Sequence, residues 1–262
     1  METLKNILFR KSDGFGYIQL NRPELHNAMD AAMIAELTML IHEVPQDESI
    51  RAIIIQGNGK SFSSGADLNY MQSLINSSKR ENLEDAGKLS ALFDSIYNCA
   101  LPVISVAHGN VSGGANGIIA ASDIAICADN SVFRFSELKL GLVPATISPY
   151  IVHRIGEAKA AELMFTSRSF SGSQAFSFGL VNKSVREQEL ETNLQLLLQE
   201  IRSSGPIALR KAKLLIRAIA GKEIDSELRR FTSRVIADVR ISPEAQEGMK
   251  AFLEKRKPAW TK

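Results

Sequence analysis

The sequence predicts an α/β body followed by an all-helical C-terminal region. Two observations carry that prediction. Short β-branched runs, such as Ala52-Ile53-Ile54-Ile55 and Val103-Ile104-Ser105-Val106, alternate with helical apolar spacing through the first two thirds of the chain. Beyond about Glu187 only the helical period remains. We therefore divide the chain into residues 1–186 and 187–262, with no clear linker between them. At 262 residues and 45% hydrophobic content it can bury a large core.

The elements follow in order. Leu4 to Phe9 and Gly16 to Leu20 are short apolar strands around a Ser12-Asp13-Gly14 turn. Asp30 caps a helix whose Ile34, Leu37, Ile41 and Val44 keep helical spacing as far as Pro45. Arg51 to Gln56 is a buried strand ended by Gly57-Asn58-Gly59. The polar stretch Gln72 to Asp85 has no apolar rhythm and is expected as a loop or lid. A helix through Leu89, Leu92, Phe93 and Ile96 ends before Pro102. Strands at Ile124–Cys127 and Leu180–Val185 complete the α/β part, whose strand-turn-helix units suggest a winding, solenoid-like body. The C-terminal helices carry Leu190, Leu194, Leu197 and Ile201, then Leu209 to Ile219 behind Pro206, then Ile224, Leu228, Phe231 and Val235. Ser242-Pro243 opens the last helix, from Glu244 to Lys255.

A net charge of +2 argues against binding nucleic acid through global charge. Cys99 and Cys127 lie in apolar surroundings and suit a reducing compartment. No Cys/His spacing suggests a metal. The N-terminus has no apolar leader and no run reaches a membrane span. The expectation is a cytoplasmic protein without membrane or nucleic-acid partners.

Two glycine and small-residue turns hold the chemistry. Ser61 to Leu68 reads S-F-S-S-G-A-D-L, and Val106 to Asp123 reads V-A-H-G-N-V-S-G-G-A-N-G-I-I-A-A-S-D, each after a β-branched run. Such turns can each present a backbone N–H to one oxygen and so stabilise an oxyanion without a charged side chain. The four histidines, His26, His42, His108 and His153, form no triad or metal spacing. Ser63, Ser64 and Ser112 have no partnered base, so nucleophilic hydrolysis is unsupported.

Those turns, with N-R-P-E-L-H-N-A (Asn21 to Ala28), F-R-F-S-E-L-K-L-G-L-V-P (Phe133 to Pro144), G-L-V-N (Gly179 to Asn182) and E-G-M-K-A-F-L-E-K-R-K-P-A-W (Glu247 to Trp260), occur in an order that resembles the crotonase superfamily of enoyl-CoA hydratases and isomerases. The resemblance implies a crotonase-like spiral of ββα units with a C-terminal α-helical trimerisation region, assembled as a homotrimer or homohexamer. It also implies an acyl-CoA substrate, with coenzyme A as part of that substrate and no metal or other cofactor. Ala66 and Gly114 match its oxyanion-hole positions, and Glu137 its catalytic glutamate. The neighbours Phe133, Phe135, Leu138 and Leu140 are expected to raise the Glu137 pKa. Leu25, Ser64, Ala66, Asp67 and Leu68, with Gly114, match coenzyme A contact positions. Phe252 and Lys255 match C-terminal positions that reach a ligand, the lysine as a point charge on phosphate.

One departure stands out. Many family hydratases carry a second glutamate where this chain has Gly117, and the adjacent Asn116 cannot act as acid or base, though it could position a water. Two single-carboxylate readings follow. Glu137 activates water and relays a proton to C2 of a 2-enoyl-CoA, or it moves a proton from C2 to C4 of a 3-enoyl-CoA. The segment Leu142 to Tyr150, L-V-P-A-T-I-S-P-Y, resembles bacterial members of the methylglutaconyl-CoA hydratase type in branched-chain degradation, which favours hydration; Ala145 and Ile147 are candidates for the acyl pocket. A third reading is a non-catalytic member that binds acyl-CoA or RNA, with basic clusters at Arg210–Lys213 and Lys255–Lys257.

Overall fold

A computed structural model describes residues 4–261. It opens on an antiparallel hairpin of β1 (Ile7–Ser12) and β2 (Phe15–Leu20). The turn between them puts Asp13 at φ 52° and Gly14 at φ 80°, the left-handed pair that matches strand twist in a two-residue hairpin. α1 (Ala31–Glu43) follows, and the Asp30 carboxylate accepts from the Met33 amide as the sequence predicts.

From here the chain winds in turns. The first turn has β3 (Ala52–Gly57), α2 (Leu68–Ser73) and α3 (Lys79–Asn98). The second has β4 (Val103–Ala107), β5 (Asn110–Ser112) and α4 (Ala115–Ala121). The third has β6 (Ile124–Ala128), β7 (Val132–Arg134), a 3-10 turn over Glu137–Leu140, α5 (Ser148–Ile155) and α6 (Glu157–Thr166). β8 (Phe170–Ser171), α7 (Gly172–Ser177) and β9 (Lys183–Val185) close the α/β part. Successive turns feed two sheets. The larger is ordered β1-β2-β3-β4-β6-β9 and is parallel from β2 onward, and the smaller is ordered β5-β7-β8. A parallel bridge between Ser63 and Val111 adds the first turn to the smaller sheet.

Four α-helices follow among the described residues, α8 (Leu190–Ser203), α9 (Pro206–Ile219), α10 (Ser226–Arg240) and α11 (Pro243–Leu253), the last capped by Ser242, and then a 3-10 turn over Ala259–Thr261. One face of the larger sheet packs on α1, α3 and α4 through residues such as Ile53, Ile55, Leu37 and Ile118. The other face, with Phe15, Ile54, Ile104 and Ile126, is covered by Leu190, Leu194, Leu198 and Ile201 of α8. Composition changes near Glu187, but α8 still shares the core of the sheet. On that helix Leu198 is fully buried and Leu197 only partly so.

Three expectations need correction. The polar stretch Gln72 to Asp85 is mostly helical, with only residues 74–78 outside helices. The Glu81 amide donates to Ser78 Oγ and the Ser78 amide donates to the Glu81 carboxylate, a capping box that starts α3 well before its apolar stripe. The strand expected from Leu180 begins only at Lys183, because Leu180 and Val181 turn into the core instead. The cluster Arg210–Lys213 is also not an exposed basic patch. Arg210 donates to the Pro45 carbonyl, and Lys213 is buried on Asp123 at 2.7 Å.

That buried contact fastens α9 to the body. Asp123 accepts from Lys213, from Arg217 at 2.9 Å and from the Val103 amide at 2.8 Å. Asp123→Ala would leave Lys213 buried without its counter-charge. We expect it to lower unfolding free energy by about 3–5 kcal/mol in urea titrations, whereas exposed pairs such as Arg80–Glu84 should contribute about 1 kcal/mol or less.

Candidate active site

Parallel register assembles the site. Ser63, Val111 and Phe133 stand beside one another in three successive turns. Ala66 follows Ser63 by three residues and Gly114 follows Val111 by three, so both reach the same level past the strand ends. Glu137 follows Phe133 by four, at the start of the 3-10 turn. Neighbouring strands lie ~4.8 Å apart, a spacing at which two adjacent turns can address a single atom.

Most main-chain donors of the two turns are committed within the chain. In the first turn the amides of Ser63, Ser64, Gly65 and Asp67 donate to Asn110 O, His26 O, Ser63 Oγ and Met29 O. Between Ser63 and Asp67 only the Ala66 amide is left, and the residue is exposed. Met29 pairs with Ala66 through its flanking peptide groups, the Met29 amide donating to Gly65 O, so the Ala66 N–H points away from it. In the second turn Ser112, Gly113, Asn116 and Gly117 donate to Ser63, Arg134, Gly113 and Gly114 carbonyls, leaving Gly114 and Ala115. Ala115 is fully buried and Gly114 partly exposed. Two open amides on adjacent turns can hold one oxygen that gains negative charge. Gly65 makes the close approach possible: it sits at φ 94°, and a Cβ there would stand 2.9 Å from Ser112 O.

Glu137 faces this pair of turns. Its Oε1 lies 3.5 Å from where a Cβ on Gly113 would be, and its Oε2 is buried without a partner. Lys139 beside it is exposed. Burial pushes the Glu137 carboxyl above the ordinary glutamate value, against the opposing pull of main-chain N–H groups at Glu137 and Ser136. Phe133 and Phe135 are fully buried, but Leu140, expected in its apolar surroundings, is 59% exposed. The 3-10 turn carries Leu140 outward.

The other predicted residues divide. Leu25, Ser64 and Leu68 are exposed beside Ala66, and the Ser64 amide ties this rim to the His26 carbonyl. Asp67 is buried and its polar groups are largely committed within the chain. Its carboxylate accepts from the Tyr70 amide, from Arg22 and from the Asn69 amide, which holds it below the usual carboxylate value against the effect of burial. Arg22 also pairs with Asp30 at 3.0 Å and donates to Ala28 O. The N-R-P-E-L-H-N-A motif therefore braces the Ala66 turn, a role its sequence did not reveal. Phe252 lies in the last turn of α11, 83% exposed, and Lys255 just past the end of that helix. α11 packs on α9 and α10. His108 donates from Nε2 to the Gly59 carbonyl at 2.7 Å, a structural bond between neighbouring turns.

Packing explains Gly117. A Cβ at this position would lie 2.6 Å from Phe93 Cζ and 2.6 Å from Ile147 Cγ2. Phe93 is fully buried and meets Tyr150 edge-on, with ring centroids 6.1 Å apart. The space where a second carboxylate would begin is thus filled by α3 and the segment before α5. Ile147 belongs to that wall, whereas Ala145 is exposed.

The chain is similar to known proteins over nearly its whole length. The family model described as enoyl-CoA hydratase/isomerase matches residues 10–262. The crystal structure of an enoyl-CoA hydratase from Shewanella pealeana superposes with a TM-score of 0.95 at 33% identity, over 99% of this chain and 97% of that one. A Legionella pneumophila protein, provisionally described as an enoyl CoA hydratase/isomerase (crotonase), gives 0.93 at 40% identity, over 98% of this chain and all of that one. The crotonyl-CoA hydratase of Syntrophomonas wolfei is 31% identical over 259 residues, 97% of this chain and 96% of its own. The chain belongs to the enoyl-CoA hydratase/isomerase family and has the crotonase fold. Among the described residues no helix is long and apolar enough to cross a membrane.

Two outcomes test the site's physics. Gly117→Ala should destabilise the protein by about 1–3 kcal/mol through overpacking, and Phe93→Leu in the same chain should recover part of that loss in thermal unfolding. Burial favours the neutral acid at Glu137, so its contribution to stability is fully present below the ordinary glutamate value and is lost as pH rises through the raised one. Glu137→Gln removes that loss. The variant's Tm should therefore gain on wild type between acid and neutral pH, and a constant difference would contradict the buried carboxyl.

Proposed function

We propose that the protein is an enoyl-CoA hydratase acting on a short or branched 2-enoyl-CoA, with Glu137 as its one proton-handling carboxylate. The observation that carries this reading is a carboxylate with a buried, partnerless oxygen facing two turns whose Ala66 and Gly114 amides are open. The thioester oxygen accepts from those two amides. Glu137 takes a proton from water as the water oxygen bonds to C3. Electron density moves from the C2–C3 double bond to the thioester oxygen, where the amides hold the enolate. Glu137 then gives its proton to C2 and returns to its starting state. A carboxyl with a raised pKa suits both halves of that cycle.

The same residues support a second reading, a Δ3,Δ2-enoyl-CoA isomerase. The packed wall at Gly117 favours keeping it, since one mobile carboxylate suffices for a 1,3 proton shift. The segment Leu142–Tyr150 supports hydration of a methylglutaconyl-CoA-type substrate. In this reading Leu25, Ser64 and Leu68 form the rim on which coenzyme A lies, and the main chain of Asp67 is all that faces it. No cofactor beyond that coenzyme A moiety is needed. The exposed Ile241, Phe252 and Leu253 of the C-terminal helices support assembly as a trimer or a pair of trimers, which would bring Phe252 and Lys255 to a neighbour's ligand.

The purified protein should be offered crotonyl-CoA, 3-methylglutaconyl-CoA and a 3-enoyl-CoA, with products followed by mass and enoyl absorbance. Gain of one water with either 2-enoyl substrate supports hydration, whereas a product of unchanged mass from the 3-enoyl substrate alone supports isomerisation. Glu137→Gln should slow turnover by about 10²–10⁴-fold. A variant at full rate would overturn the mechanism.

A further inference from the structure

We infer that Asn116 is a positioning residue that fixes Glu137 against the Gly114 amide, an inference that rests on the proton-handling role proposed for Glu137. Asn116 stands in the first turn of α4, fully buried. Its Nδ2 donates to Gly113 O at 3.1 Å and to Arg134 O at 3.0 Å, with Val111 O at 3.4 Å. Gly113 directly precedes the Gly114 donor, and Arg134 lies three residues before Glu137. The ladder between these two turns ends at the pair Ser112–Arg134, followed by one bond from the Gly113 amide to Arg134 O. Past that point the oxyanion turn and the glutamate segment diverge. The Asn116 amide joins them at that divergence.

The orientation of this side chain is unambiguous. Exchanging its oxygen and nitrogen would aim an acceptor at three carbonyls. Its Oδ1 is buried with no partner. An apolar side chain would fill the same volume without that orphaned oxygen. What the amide adds is directional: two donors that hold both main-chain segments in one geometry. Arg134 is further restrained by its Nε, which donates to Ser167 O at 3.3 Å. A shift of ~1 Å between a proton carrier and its oxyanion donors is enough to lower turnover by ~10²-fold.

The test uses three variants of the full chain: Asn116→Asp, which keeps the shape; Asn116→Leu, which replaces the amide with an apolar group of similar size; and Asn116→Ala. Hydration of crotonyl-CoA gives kcat and KM. Exchange of the C2 proton of butyryl-CoA in D2O reports alignment of Glu137 with the oxyanion donors without water addition, and calorimetry with butyryl-CoA reports binding. We expect kcat and exchange to fall together by ~10²-fold, with KM and butyryl-CoA affinity within about threefold. A folded Asp or Leu variant that keeps wild-type kcat and exchange overturns the inference. So does a loss confined to KM, and so does failure of all three to fold, which would make Asn116 a stability residue. If wild type exchanges the C2 proton but hydrates no 2-enoyl-CoA, the hydratase reading fails while the Asn116 inference is still decided by exchange. If it does neither and also leaves 3-methylglutaconyl-CoA and a 3-enoyl-CoA unchanged, Glu137 carries no proton and both fall.

Discussion

The parallel register Ser63–Val111–Phe133 is the constraint from which the site follows. It stacks three consecutive turns of the spiral so that each leaves the smaller sheet at the same level. A donor from the first turn, a donor from the second and a carboxylate from the third then meet, although they come from positions 66, 114 and 137. No long side chain has to reach across the molecule. The strand spacing itself, ~4.8 Å, sets the separation of neighbouring turns. A one-residue slip in a β register turns each side chain and peptide group to the opposite face, which here would close the Ala66 amide onto Met29. The Arg22–Asp67 pair and the Met29 ladder bonds guard against that slip in the first turn, and the Asn116 amide guards the junction of the second and third.

Against that frame the glycine at position 117 is a packing decision as much as a chemical one. Phe93 and Ile147 occupy the volume into which any side chain would grow. Any side chain at position 117 would displace the Phe93 ring and the Ile147 side chain. Glu137 is half-buried, its Oε2 has no partner, and no cation offsets the cost of its charge nearby on its own turn, where Lys139 points to solvent.

Much of this was legible in the sequence, for physical reasons that differ by element. β3 and β4 are β-branched runs buried on both faces, and α1 and α11 announce themselves by Asp30 and Ser242. The two turns were visible because small residues cluster where backbones meet closely. What escaped is either too short or too distant. β5, β7 and β8 have two or three residues, below any readable period. The first turns of α3 are polar all round, and only Ser78 and Glu81 marked them. The wall behind Gly117 joins residues 93, 117 and 147, and the brace on Asp67 comes from Arg22. Such contacts depend on the spiral bringing distant segments together, so local composition could suggest that Gly117 departs from a pattern but not what fills its place.

The central claim is that one carboxylate both activates the water and protonates C2. Hydration of crotonyl-CoA in D2O, read by NMR as the configuration of deuterium at C2 relative to the new hydroxyl at C3, tests it directly. Delivery by Glu137 alone predicts that deuterium and hydroxyl enter from the same face. Addition from opposite faces would require a second proton carrier and would contradict the account.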